Sequence, residues 1–293
     1  INAISQRRSR GSDNHLYCYA VWLRHLCLAH KNGLCTAPPE HVAELGPGDS
    51  LGVGIAALIS GAESYRAFDV VAYANTDRNL AVFDGLVDLF ARRADIPGAE
   101  AFPRMKPLLE NYAFPHEVLT AAHMERNMAP ARIARLRRAV ETGDASVIGY
   151  TAPWRGQSLG GAEIDMIISQ AVLEYVDDIA GVHAELSHWL KPSGFVSHEI
   201  DFKCHGFANE WDGHWRYSNA VWKFMKGRRL YTINREPYSV HERALTTAGM
   251  QIVGAQFHPQ PSNLQRTDLT SSLAHLTEQD LTIASACIQA RKF

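Results

Sequence analysis

Val42-Ala-Glu-Leu-Gly-Pro-Gly-Asp-Ser-Leu-Gly-Val-Gly-Ile-Ala-Ala-Leu-Ile-Ser-Gly61 is the stretch that decides the fold. A short apolar run, Val42, Ala43 and Leu45, enters a bend that carries Gly46, Gly48 and Gly52. Leu51, Ile55, Leu58 and Ile59 then recur at helical spacing, and Gly61 stops the helix. In a strand–bend–helix unit the glycines let a ligand lie against bare backbone, and the first helical amides carry partial positive charge. Asp49 or Ser50 is the expected helix cap. Glu44, at the end of the strand, would repel a phosphate but suits an ammonium, which sets this bend apart from phosphate-binding loops.

Downstream, Ser64 to Phe68 reads as a second strand ending in Asp69, one strand–helix–strand unit beyond Glu44. An acid there is placed to take the two hydroxyls of a ribose; a solvated Asp in a turn is the alternative. Upstream, Leu16, Ala20, Leu23 and Cys27 predict a helix from about Asn14 to Ala29, preceded by a loose polar arm from Ile1 to His15.

Asn75 to Arg93 is helical by its apolar spacing. From Ala94 to Gly143 strand alternation disappears and prolines break the chain, the pattern of a cap inserted over a site. Pro130 starts its last helix, where Arg132, Arg135, Arg137 and Arg138 form either a solvated basic face or a grip on an anionic acceptor. Ser146 to Tyr150 is the third strand; beyond it Trp154 suits stacking on a flat ring or ordinary packing. Ile164 to Ser169, apolar almost throughout, is a fourth strand central in a parallel sheet, and it runs into Gln170. Asp177 caps the next helix, Lys191-Pro192-Ser193-Gly194 turns, and a fifth strand from Phe195 to Ile200 ends at Asp201. Helices over Asn219–Met225 and Ser239–Ala248, a strand over Met250–Phe257 and a closing helix over Thr277–Lys292 complete the pattern. Strands alternating with helices define an α/β sheet with helices on both faces. The expected organisation is an arm and helix over 1–40, a main domain over 41–260 with a helical cap insertion at about 94–143, and a helical segment over 261–293. Glu44, Asp69, Gln170 and Asp201 fall at carboxyl ends of strands, where such sheets bind ligands.

With 293 residues, 46% of them hydrophobic, the chain can bury one large domain, and a net charge of −2 gives no field that favours nucleic acid or an anionic membrane. No apolar run is long enough to span a bilayer. Five cysteines, odd in number and without a C-x-x-C pair, read as reduced thiols of a cytoplasmic protein.

E-L-G-P-G-D-S, the acid Asp69, D-M-I-I-S-Q-A-V-L-E-Y-V-D-D and W-L-K-P-S-G-F together resemble the ordered motifs of class I S-adenosylmethionine-dependent methyltransferases, over roughly Val42 to Phe257. The resemblance implies a Rossmann-like, seven-stranded, mostly parallel sheet and S-adenosyl-L-methionine as cofactor. It places Glu44, Gly46 and Gly48 around the methionine part, Asp69 on the ribose, and the residues after the third strand, here Tyr150, Thr151 and Trp154, beside the adenine; Pro47, Ser50 and Gln170 complete the expected cofactor-binding set. Two departures stand out. The usual acid after the third strand is missing, and Glu174-Tyr175 replaces a common Glu-His pair after the fourth. S-H-E-I-D-F-K-C-H-G is similar to a subset of bacterial methyltransferases of glycan and surface-polysaccharide pathways.

A methyl donor of this kind needs an aligned nucleophile and a group to take its proton. His205 is the expected base, with Asp201 orienting it or taking the proton itself. His198, Trp211, His214, Trp215 and Arg235 are the candidates for the acceptor side. The aromatic ones suit a sugar face or plain packing, and His198 falls at core parity on its strand. Glu174, Asp201 and His205 have the donor types for magnesium or manganese, should a metal take part. The expectation is therefore O-methylation of a sugar, oligosaccharide or other small hydroxylated acceptor. The alternatives are an N-methyltransferase of a small molecule and a non-catalytic cofactor-binding subunit; a homo-oligomer is compatible with either. A nicotinamide-dependent dehydrogenase fits Glu44 and the G-P-G spacing poorly.

Overall fold

The order of elements follows from where apolar runs, caps and breakers fall. The computed structural model describes residues 11–154, 159–229, 231–262 and 264–293; the first ten residues of the expected arm lie outside them. In chain order the elements are α1 (His15–Lys31), β1 (His41–Leu45), α2 (Gly52–Ile59), β2 (Ser64–Phe68), α3 (Thr76–Ala91), α4 (Ala121–Asn127), α5 (Pro130–Thr142), β3 (Ile148–Thr151) and β4 (Ile164–Gln170). They continue with α6 (Ile179–Trp189), β5 (Leu190–Asp201), α7 (Asn219–Lys226), α8 (Tyr238–Thr247), β6 (Met250–Pro259) and β7 (Ile283–Lys292).

The seven strands hydrogen-bond in the order β3-β2-β1-β4-β5-β7-β6. That is the doubly wound order of an α/β sheet with one extra strand, β7, inserted between the fifth and sixth. β1 pairs with β2, and β2 with β3, in parallel; β7 runs antiparallel to both neighbours. The closing helix expected over Thr277–Lys292 is thus corrected to strand β7. Its small, apolar sequence I-A-S-A-C-I-Q-A is buried on both faces between two strands, so tertiary context overrides the helix preference of its alanines.

The chain forms two compact units, one up to Ile168 and one from Ser169 to Phe293. In the first, α1 begins at Asn14, whose side chain accepts from the amides of Leu16 and Tyr17 at 2.8 and 3.4 Å. Arg24, on α1, is fully buried because its guanidinium reaches the carbonyls of Met105, Pro107 and Pro97 at 2.7, 3.4 and 2.6 Å, pinning the inserted segment. On the basic face of α5, Arg135 and Arg138 are exposed, as a solvated face requires, and Arg132 alone turns well inward. Arg132 donates to the carbonyls of Leu58 and Ala62 at the end of α2 and to Glu63, Arg135 pairs with Glu63, and Arg137 pairs with Asp84 and Glu141.

In the second unit, Asp178, not Asp177, caps α6 through the amide of Gly181 at 2.9 Å, and Asp177 pairs with Lys226 instead. The expected Lys191–Gly194 turn is carried inside β5 as a kink in which Ser193 takes φ 65°. His183 on α6, His198 on β5 and His241 on α8 lie together in the interior, with ring centroids 5.6 and 5.9 Å from His183. A smaller core gathers Trp215 with Leu264, Leu269, Leu276 and Leu281. All five cysteines are free thiols, and among the described residues no helix is long and apolar enough to cross a membrane.

Candidate active site

In the first unit the bend after β1 is built by conformation before chemistry. Gly46 and Gly48 take φ 65° and 74°, a region L side chains rarely adopt. The Gly46 amide bonds the Phe68 carbonyl at 2.8 Å, tying the bend to the end of β2. Asp69, the next residue, has its Oδ1 on the amides of Val70 and Val71 at 2.7 and 3.3 Å and its Oδ2 on the Gly48 amide at 3.3 Å. Burial raises its pKa, and the three amides oppose that rise. The 3.3 Å bond is the single one given to Oδ2 among the described residues, so this oxygen keeps accepting capacity for hydroxyls.

Of the two expected caps, Ser50 takes a helix amide. The Leu51 amide is taken by Asn79 of α3 at 2.8 Å and the Gly52 amide by Ser50 at 3.1 Å, so these helix amides are occupied. Ser50 also donates to the Ser12 carbonyl, and the Asp49 amide donates to Ser12 Oγ at 2.8 Å. Ser12 falls in the arm expected to be loose, yet it is buried and latches the bend.

Glu44 is only 3% exposed, and the Tyr65 hydroxyl donates to its Oε2. Burial pushes its pKa up to about 8, the Tyr65 hydrogen bond lowering it and Asp69 adding to the rise. Tyr65 reaches it by crossing the backbone of α2 at Gly54, where a Cβ would lie 2.1 Å from the ring. After β3 the chain stays anchored to Asp69: its amide bonds the Thr151 carbonyl at 3.0 Å, and the Trp154 amide bonds the Asp69 carbonyl at 2.7 Å. The Trp154 ring is tilted on Phe68 at 5.9 Å.

In the second unit the residues after β4 and β5 meet. Gln170 donates to Glu199 at 3.3 Å, and a 3₁₀ turn, Leu173–Tyr175, follows. Asn234 fixes this turn, its side chain donating to the carbonyls of Leu173 and Val176 at 2.8 Å each and its amide to that of Glu174 at 2.7 Å. Tyr175 is thereby held with its hydroxyl 2.8 Å from His205 Nδ1, while His205 Nε2 lies 3.2 Å from Asp201 Oδ2. Lys203 adds its ammonium and its amide to Asp201 Oδ1 at 2.7 and 2.9 Å. Burial works against the Asp201 charge, but the His205 hydrogen bond and Lys203 outweigh it and hold the pKa at about 2. Ionised Asp201 can only accept, so His205 carries its proton on Nε2 and Nδ1 accepts from the Tyr175 hydroxyl.

This changes the part expected of His205. Both ring nitrogens are engaged, so the outermost group of the relay is Tyr175, which the sequence reading passed over. The signal was present in E-Y-V-D-D, but nothing local shows that Tyr175 and His205 meet.

The acceptor-side candidates divide. Trp215 is fully buried in the small core and donates to the Arg235 carbonyl at 3.0 Å, so it is packing rather than a sugar face. Trp211 packs edge-on against it and donates to the Pro261 carbonyl at 2.9 Å. His198 turns inward, 2.8 Å from Ser169 Oγ, in keeping with its core parity. His214 and Arg235 do line a small pocket with Glu174, Asp201, Lys203 and Glu236. Among the described residues no three His, Cys, Asp or Glu side chains converge to hold a metal ion, so Glu174, Asp201 and His205 do not form the ligand set weighed for magnesium or manganese.

No family model matches the sequence, and no curated protein matches it. In structure the chain is similar to an S-adenosylmethionine-dependent methyltransferase from Mesorhizobium loti, at 14% identity over 89% of this chain and 94% of that one, TM-score 0.45. It is also similar to phosphoethanolamine N-methyltransferase 2 from Haemonchus contortus, solved with S-adenosyl-L-methionine, at 12% identity over 97% of this chain and 58% of that one, TM-score 0.44. A third similar structure is the cyclase SpnF, at 12% identity over 92% and 80% of the two chains, TM-score 0.44. Likeness of this degree transfers no activity to this chain.

Proposed function

We propose that the chain is an S-adenosylmethionine-dependent methyltransferase acting on a hydroxyl of a small acceptor of the sugar or oligosaccharide kind. The observation that supports it best is the Tyr175–His205–Asp201 relay, a device for taking the proton of an attacking hydroxyl, whereas an amine needs only to arrive neutral and desolvated. The bend of the first unit fits the donor: two glycines leave the backbone bare, and Asp69 keeps an accepting oxygen beside them for ribose hydroxyls. When bound, the donor supplies a methyl group already activated on a sulfonium. The work left to the chain is to align the acceptor oxygen and take its proton. Tyr175 takes that proton on its phenolic oxygen and passes its own to His205 Nδ1. The imidazolium so formed stays stabilised by Asp201 on Nε2, and Lys203 keeps Asp201 ionised.

Calorimetry with S-adenosylhomocysteine and a turnover screen over sugars, sugar nucleotides, oligosaccharides and phenols, with and without EDTA, test this reading. Tyr175→Phe and His205→Gln are expected to lower kcat by about 10²–10⁴-fold while leaving the binding heat unchanged. Absence of binding heat, or full turnover in both variants, refutes it. Turnover on amines that survives both substitutions identifies an N-methyltransferase instead, and heat without turnover a non-catalytic subunit.

A further inference from the structure

We infer that the pocket beside the relay receives a primary ammonium group, so that the acceptor is an amino alcohol or amino sugar. This deepens the proposed function and rests on it for the word acceptor, though not for binding. The carrying residue is Glu174. It is 2% exposed and lines the pocket, yet among the described residues neither of its carboxyl oxygens meets a hydrogen-bond donor. A buried carboxyl without donors is costly, and native chains rarely keep one outside a functional site. Glu174 is no accident of a loose segment, because Asn234 clamps its turn at three carbonyls.

The protein's own cations at the pocket are committed elsewhere. Lys203 sits on Asp201, and the Arg235 guanidinium donates to the Tyr217 carbonyl and to Asn219 Oδ1 at 2.7 Å each while lying over Trp222. The donors are therefore open for a ligand to supply. A ligand ammonium finds further acceptors close by: the Glu236 carboxyl, and His214, 1% exposed, whose Nδ1 also meets no partner among the described residues. Burial keeps His214 uncharged, so it does not repel a cation. A metal ion would need three converging ligands that the described residues do not supply. A quaternary ammonium would need an aromatic cage, and beside Lys203, Arg235 and Ile233 the lining is carboxyl, imidazole and amide, with Phe202 the one phenyl ring among the lining residues.

The test titrates the full chain, saturated with S-adenosylhomocysteine, with glucosamine, glucose and N-acetylglucosamine, and with ethanolamine, ethylene glycol and choline. Glucosamine is expected to bind at least about tenfold more tightly than both neutral sugars, and ethanolamine more tightly than ethylene glycol and choline, as a charge-assisted hydrogen bond provides. Glu174→Gln should abolish both preferences without lowering the thermal midpoint, because it removes an unpaired carboxyl. Equal affinities, no binding by either primary amine, a preference for choline, or a preference that survives Glu174→Gln overturns the inference. The binding heat of S-adenosylhomocysteine, measured separately, reports on the methyltransferase reading: amine preference without that heat leaves the pocket standing and removes the donor, and the converse removes the pocket alone.

Discussion

Replacing His183 with leucine should flatten the acid sensitivity of the fold. His183 and His241 are buried, and among the described residues none of their four ring nitrogens meets a hydrogen-bond partner. Burial pushes the His183 pKa from 6.5 down to about 4, and burial with the nearby His183 pushes His241 down to about 3. Because these folded values lie below the unfolded one, the unfolded chain binds the extra protons. The contribution to stability is complete above pH 6.5 and drains away as pH falls toward 4 and 3. At pH 5 each histidine has given up about 2 kcal/mol of the stability it supplies at pH 8, against a total of roughly 5–15 kcal/mol for a folded domain. Many other groups titrate over that range, including Glu44, whose raised pKa acts in the opposite sense. Comparing wild type with His183→Leu cancels them. Urea unfolding at pH 8 and pH 5 should show the wild type losing about 2 kcal/mol more than the variant on acidification. The variant should be no less stable at pH 8, since the substitution removes two unsatisfied buried nitrogens. An identical pH 8-to-5 difference in the two proteins would show that His183 is already paired or already charged, and the reasoning would fail.

Affinity for S-adenosylhomocysteine should rise as pH climbs from 6 to 8 and level off above, because Glu44, held near 8 by burial, must lose its proton to meet the ligand's ammonium; Glu44→Gln should remove the slope in a calorimetric titration. Gly54→Ala should destabilise the fold by about 1–3 kcal/mol in urea unfolding, since the new Cβ meets the Tyr65 ring at 2.1 Å, and Tyr65→Leu in the same background should recover part of that loss.

Much of the first unit was legible in the sequence because its signals are local. The second strand was read over Ser64–Phe68 and is found there, and Gly46, Gly48 and Asp69 meet in one bend as their spacing implied. What escaped were contacts between distant segments. Ser12 reads as part of a polar arm, but its partners, Asp49 and Ser50, lie a helix and a strand away. Asn79, from another helix, shares with Ser50 the amides that open α2. Trp215 reads as a sugar platform until its leucine neighbours, all from a segment with no periodic pattern, close around it. Tyr175 looks like an ordinary residue in a turn, and its partner His205 lies 30 residues on, at a left-handed backbone position, φ 49°. β7 was misread for a related reason: the sequence of a strand buried on both faces loses the alternation that marks a half-exposed one.

The place of β7 also bears on synthesis. It pairs with β5 and β6, both translated earlier, so each emerges from the ribosome with an edge that nothing yet covers. Until β7 arrives the nascent chain is sticky, and chaperones have a defined window in which to act. A stop codon or frameshift just before Ile283 would make that window permanent and leave an aggregating product.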